Sequence, residues 1–260
     1  MSEAPSRRLR LVDTGGEGPP VVLVHGFGSD RFSWLANQAA LQASHRVYAL
    51  DLPGHGAEAL AETTMEEIAD LVARSIEAED LGTVDLVGHS LGAAICILVA
   101  ASKPDLVRRL VLIAPAGLGQ GVDAEFLDLY PKLTEAADAE ALLHRLVSRP
   151  RLINKQMIAH VLSQLGQPGR RAALQTVAAM ITADAASLAA ARETIAAGPM
   201  PRLTIWGSAD RINPADETAL ARFGGETRIV AGAGHLPHVE NATEVNGWLA
   251  AFLGDSVLPA

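Results

Sequence analysis

Short apolar, β-branched runs recur along the chain at 21–24, 47–50, 84–87, 110–113, 203–206 and 227–230. Each has the length and residue type of a buried strand. Several are continuous rather than alternating, which suits parallel strands covered on both faces. Between them the apolar period becomes helical. The sequence T-M-E-E at 64–67 has the form of a capping box, and the stretch it opens sets Ile68, Leu71, Val72 and Ile76 on one face. Residues 93–101 are apolar on almost every side, as in a helix buried against a sheet. Near the C-terminal end, Val245, Trp248, Leu249 and Phe252 repeat at helical spacing. Strands alternating with helices in this way predict a mostly parallel, doubly wound α/β sheet.

The alternation stops between 116 and 198. No β-rich run falls there, and helical segments rich in Ala and Leu follow one another at 136–147, 154–165 and 169–180. Pro150 and the glycines at 166 and 169 punctuate them. The expectation is an all-helical lid inserted between two strands of a single domain covering 1–260. Residues 15–20 read as a turn.

Composition narrows the classes. The chain has 260 residues, 49% of them hydrophobic, and its 30 acidic and 21 basic residues leave a net charge of −9. That balance argues against nucleic acid or anionic lipid as a partner. No apolar run reaches the ~20 residues that span a bilayer. Residues 1–13 contain no apolar signal core, so a cytoplasmic protein without a membrane partner is expected. The one cysteine, Cys96, excludes a disulfide framework and a Cys-based zinc site, and it reads as a small core residue. No G-x-G-x-x-G or Walker A sequence is present, and Asp51 with His55 supplies too few metal ligands. No cofactor and no metal are expected.

The sharpest chemical signal is G-H-S-L-G at 88–92, a G-x-S-x-G sequence between a strand and a helix. A sharp turn there lifts Ser90 out of the sheet, and Gly88 and Gly92 relieve the crowding. A serine hydroxyl needs a base to act as a nucleophile. His235 follows a strand in the glycine-rich loop A-G-A-G-H at 231–235, on the same sheet edge as Ser90. His238 is its nearest rival, and it reads better as a loop-packing or substrate-facing residue. His144 and His160 read as lid-surface residues, and His45 lies at the far end of a strand. The acid that orients the base is assigned to Asp210, just after the strand at 203–206. Asp216 and Glu217 read as helix-start charges, and Asp51 as shaping its own loop. The order Ser, Asp, His is the one this architecture uses. Two backbone N–H donors complete the set as an oxyanion hole: Leu91, directly after Ser90, and Phe27 in H-G-F-G at 25–28. His25, Gly26, His89 and His238 are the candidate substrate-binding residues.

Together, H-G-F-G (25–28), D-L-P-G-H-G (51–56), G-H-S-L-G (88–92), the segment 206–214 and G-A-G-H (232–235) resemble the α/β-hydrolase fold superfamily over nearly the whole chain. Ser90 stands where the superfamily's dehalogenases and epoxide hydrolases carry an aspartate. Residues 21–28, 49–56, 112–119 and 152–157 are further similar to the hydrolase-like domain of the acetoin dehydrogenase complex acetyltransferase (E2) subunit. That resemblance implies an acetyl group passed to dihydrolipoamide. Such subunits carry an N-terminal lipoyl domain, whereas this chain starts almost at the hydrolase region. Its lysines, Lys103, Lys132 and Lys155, lie in no lipoyl-type hairpin. The expected activity is therefore cleavage of a small-molecule ester or thioester through an acyl-enzyme. Transfer to a lipoyl domain on another chain is the alternative, and a non-catalytic binding protein the second alternative. The arginines at 145, 149, 151, 170 and 171 read mainly as a solvated lid face.

Overall fold

All six expected strands form, and a seventh precedes them. The computed structural model describes residues 7–254. Residues 1–6, part of the 1–13 stretch without an apolar signal core, lie outside the described residues. The strands are β1 (Val12–Gly15), β2 (Pro20–Val24), β3 (Arg46–Leu50), β4 (Val84–His89), β5 (Val107–Ile113), β6 (Arg202–Gly207) and β7 (Glu226–Val230). They make one sheet in the order β1-β3-β2-β4-β5-β6-β7, parallel except for the antiparallel β1–β3 pair. β1 carries no run of apolar residues because it is a short, partly exposed edge strand, so periodicity had nothing to detect. At the opposite edge, β7 departs from the buried strand expected at 227–230. It is exposed from Glu226 to Ile229, and only Val230 is buried.

Period-two alternation divides the central strands between two cores. Val22, Val24, Leu86, Leu110 and Leu112 face one side, where α2 (Met65–Ala78), α3 (Leu91–Ser102) and α8 (Ala185–Ala197) cover the sheet. Val21, Leu23, Val87, Val111 and Ile113 face the other, beneath α1 (Leu35–Gln42) and α11 (Ala242–Gly254). The helix-start motif works in part as expected. Thr64 Oγ1 accepts from Glu67 N at 3.2 Å, but the Glu67 carboxylate reaches back to Thr63 N at 2.7 Å, one residue earlier than a reciprocal box.

The insertion is helical. It contains α4 (Ala124–Leu129), α5 (Ala136–Leu143), α6 (Lys155–Leu165) and α7 (Arg170–Ala183), with a separate core that includes Phe126, Tyr130, Leu142, Val161, Leu165 and Leu174. Towards its end the helical stretch packs on the sheet layer: Val177 and Met180 of α7 and Leu188, Ala191 and Ile195 of α8 are buried in the same core as α3. After β6 come α9 (Glu217–Phe223) and α10 (Pro237–Glu240). Among the described residues no single helix is long and apolar enough to cross a membrane.

Candidate active site

The turn from β4 to α3 is tight enough to force Ser90 to φ 52° and ψ −114°, a region costing about 1–3 kcal/mol for a residue with a side chain. The flanking glycines are required for space. A Cβ on Gly88 would lie 2.6 Å from Ala93 Cα, and one on Gly92 would lie 2.3 Å from the carbonyl oxygens of Val24 and His25. Neighbouring strand β5 fixes the turn, because Ser90 N donates to Ile113 O at 2.9 Å.

Loops leaving β6 and β7 at the same sheet edge bring in the other two residues. His235 Nε2 lies 3.0 Å from Ser90 Oγ, and His235 Nδ1 lies 2.8 Å from Asp210 Oδ2. All three side chains are buried. Asp210 accepts four hydrogen bonds. Its Oδ1 receives Ile212 N and Asn213 N, and its Oδ2 receives Trp206 Nε1 as well as His235. Its carboxylate is therefore fixed in plane and its lone pairs are in use. His89 Nε2 donates to the His235 carbonyl at 2.9 Å, which ties the serine turn to the histidine loop.

The loop at 25–28 lies directly against Ser90, since a Cβ on Gly26 would meet Ser90 Cβ at 3.2 Å and His89 Nδ1 at 2.7 Å. Gly28 adopts φ 70°, and Tyr130 of the lid donates to its carbonyl at 2.5 Å. Above Ser90 and His235 is a cavity of about 620 Å³ whose walls are mostly apolar. Phe27, Phe126, Leu143 and Leu174 contribute to them, so the Phe27 ring, edge-on to Tyr130, does face this space. His89 also reaches it.

Three expected substrate-binding residues do not line that cavity. His25 is fully buried, with Nδ1 donating to Gly26 O at 2.8 Å and Nε2 accepting from Leu52 N at 3.0 Å; both ring nitrogens serve the loop. Gly26 presents no side chain and acts through its close approach to Ser90. His238 is fully buried behind His89, its ring tilted against those of His89 and Trp34 at centroid distances of 4.7 and 4.8 Å. Burial pushes its pKa down to about 3, with His235 adding to the effect. Burial likewise holds His55 and His89 well below the ordinary imidazole range.

Other residues join the site without a signal in the sequence. His160 of α6, read as a surface residue, lines the cavity and bonds Asp30 Oδ2 at 2.7 Å. Glu240 is buried and accepts from Gly234 N at 2.5 Å, Ser148 N at 3.0 Å and Ser148 Oγ at 2.8 Å. Of the five arginines, Arg151 is exposed and Arg145 and Arg149 are half-buried, whereas Arg170 is buried against the carbonyls of Gly54 and Gly56 and Arg171 donates to those of Pro131 and Leu133. Only long-range packing distinguishes Glu240 and Arg170 from exposed side chains; His160 is exposed and lines the cavity as well. Cys96 is buried in α3, which pushes its thiol pKa up. Among the described residues no cluster of three or more His, Cys, Asp or Glu could hold a metal ion.

Comparison with known proteins gives a consistent picture. The model of the alpha/beta hydrolase family matches residues 21–248. A dihydrolipoyllysine-residue acetyltransferase component of the acetoin cleaving system of Pseudomonas putida is 36% identical over 97% of this chain and 68% of its own length. A 2-hydroxymuconate semialdehyde hydrolase of Pseudomonas sp. (strain CF600) is 28% identical over 96% of this chain and 91% of its own. Among solved structures, a meta-cleavage product hydrolase from Pseudomonas fluorescens IP01 aligns over 95% of this chain and 94% of its own, with a TM-score of 0.83 and 22% identity. The enol-lactonase from Burkholderia xenovorans LB400 aligns over 95% and 96%, with a TM-score of 0.78 and 23% identity. With its sheet order, helical insertion and family match agreeing over almost its full length, the chain belongs to the alpha/beta hydrolase family.

Proposed function

We propose that the protein is a serine hydrolase that cleaves an ester or thioester through a Ser90 acyl-enzyme. The observation that carries this reading is the chain of two short contacts, 3.0 Å from Ser90 Oγ to His235 Nε2 and 2.8 Å from His235 Nδ1 to Asp210 Oδ2. His235 takes the Ser90 proton as Oγ attacks the carbonyl carbon, and it returns that proton to the leaving oxygen or sulfur. Asp210 holds Nδ1 protonated and stabilises the imidazolium. The N–H groups of Leu91, in the first turn of α3, and Phe27 hold the developing oxyanion; a lost donor costs about 3 kcal/mol. Water activated by His235 then releases the acid. The apolar walls above Ser90 suit an acyl group with little charge. Replacement by Ser90→Ala should abolish ester turnover and labelling by a fluorophosphonate probe. A variant that labels as strongly as wild type would remove Ser90 from this role.

A second reading has its own support in the 36% identity to the acetoin-system acetyltransferase component. In it, dihydrolipoamide, carried on another chain, discharges the acyl-enzyme in place of water. Its thiol loses a proton to His235 as sulfur attacks the acyl carbon, and Oγ leaves with that proton. Acceleration of deacylation by dihydrolipoamide supports transfer; an unchanged rate supports hydrolysis.

A further inference from the structure

Successive peptide units of the loop after β2 are each held by a side chain from elsewhere or from the loop itself. Gly26 O accepts from His25 Nδ1 at 2.8 Å and from Ser29 N at 3.3 Å. Gly28 N donates to His55 Nε2 at 3.0 Å, and Gly28 O accepts from the Tyr130 hydroxyl at 2.5 Å. In a trans peptide the C=O and N–H point opposite ways, so fixing Gly26 O also aims Phe27 N–H, which belongs to the same unit. With Gly28 N–H and Ser29 N–H taken, Phe27 N–H is the one donor at 27–29 without a partner among the described residues. Gly28 is the weak point of this arrangement. At φ 70° it has no Cβ to restrain it, and a swing of the unit between Phe27 and Gly28 would carry Phe27 N–H off its line.

Both outside anchors suit that duty. His55, in the loop after β3, lines the cavity over Ser90, yet it has no ring nitrogen left for a substrate. Its Nδ1 donates to Pro53 O at 3.1 Å, so Nε2 carries the lone pair that Gly28 N–H needs. Burial keeps the ring neutral, and Arg170 pins the carbonyls of Gly54 and Gly56 on either side of it. Its ring stands edge-on to those of His25 and Phe27, at centroid distances of 5.0 and 6.2 Å. Tyr130 comes from the lid, just after α4, and lies directly on the glycine: a Cβ at Gly28 would fall 2.5 Å from its ring. We propose that His55 and Tyr130 are positioning residues that clamp Gly28 at its N–H and its carbonyl, and so hold Phe27 N–H in line for the oxyanion. The lid, through Tyr130, thereby helps to set the oxyanion hole. This clamp rests on the hydrolase reading above.

The test compares two probes in a series of alkyl chain lengths. In an alkyl trifluoromethyl ketone, Ser90 Oγ adds to the carbonyl carbon, its proton passes to His235, and the carbonyl oxygen becomes a hemiketal oxyanion. The matching methyl ketone is too weak an electrophile to form this adduct and reports binding alone. His55→Phe keeps a flat ring but removes the acceptor. It should weaken the trifluoromethyl ketone about 10²-fold and leave the methyl ketone unchanged, and it should lower kcat for ester hydrolysis with little change in KM. His55→Gln, whose amide oxygen can accept from Gly28 N–H, should recover most of that loss. Tyr130→Phe keeps the ring, loses only the hydroxyl, and should weaken the trifluoromethyl ketone alone by about tenfold. It carries the test if His55→Phe does not fold. Equal weakening of both ketones, unchanged affinity for both, or no recovery with His55→Gln overturns the clamp. Failure of the wild type to form the adduct with any chain, together with no fluorophosphonate labelling, overturns the Ser90 reading itself.

Discussion

The backbone N–H of His235 donates to the carbonyl of Leu146 at 2.8 Å, so the histidine loop hangs from the root of the lid. Glu240 closes the same junction. One of its carboxylate oxygens holds Gly234 N, and the other holds Ser148 and Arg149 N. Glu240→Ala would leave the buried Gly234 N–H and the part-buried Ser148 and Arg149 donors without this acceptor. It should cost about 1–3 kcal/mol in urea unfolding and slow labelling of Ser90. Glu240→Gln, which keeps one acceptor oxygen, should cost less. A variant as stable and as quickly labelled as wild type would show that the junction does not depend on this carboxylate.

Asp210→Asn should disable the site with the fold retained. The two backbone donors at Oδ1 would hold the amide oxygen there, turning its NH2 towards Trp206 Nε1 and His235 Nδ1. His235 would then carry its proton on Nε2 and could not accept from Ser90. Acylation should fall by about 10⁴-fold. Circular dichroism should stay native-like, and a loss below about tenfold would contradict the assigned geometry.

Two glycines give opposite outcomes. Gly92→Ala places a Cβ 2.3 Å from two backbone carbonyls and should cost at least about 3 kcal/mol or prevent soluble expression. Gly247→Ala, at an exposed position of α11 where an added Cβ meets nothing within 4 Å, should raise stability by about 0.5–1 kcal/mol. Equal effects would mean that the turn at Ser90 is looser than described.

Acid should destabilise the protein through its buried histidines. His25, His55, His89 and His238 all have lowered pKa values, chiefly from burial. Below about 6.5 the unfolded chain takes up protons that the folded one refuses, so stability falls with pH. For His238 the loss continues to about pH 3, at about 1.4 kcal/mol per pH unit. His238→Phe should flatten urea stability between about pH 6 and 5 by roughly that slope. An unchanged slope would mean that His238 already takes up its proton in the folded protein.

By itself, the sequence determined the features that depend on neighbours along the chain. Apolar runs at 21–24, 84–87 and 110–113 are strands because their period and β-branching leave little else, and G-H-S-L-G between strand and helix identifies a strained turn at Ser90. Chain order and loop position singled out His235 and Asp210 for the same reason: each follows a strand at one sheet edge. Tertiary structure decided what lies between distant segments. His25 and His238 have the residue type of a ligand contact but are turned away from the cavity, while Glu240 and Arg170 look like surface residues and are buried, and His160 keeps an exposed side chain that also lines the cavity. The 3.0 Å and 2.8 Å contacts that join Ser90, His235 and Asp210 also exist only once β4, β6 and β7 are in register. Local patterns set backbone conformation, but whether a polar side chain meets solvent, a carbonyl or a cavity depends on segments far away in sequence.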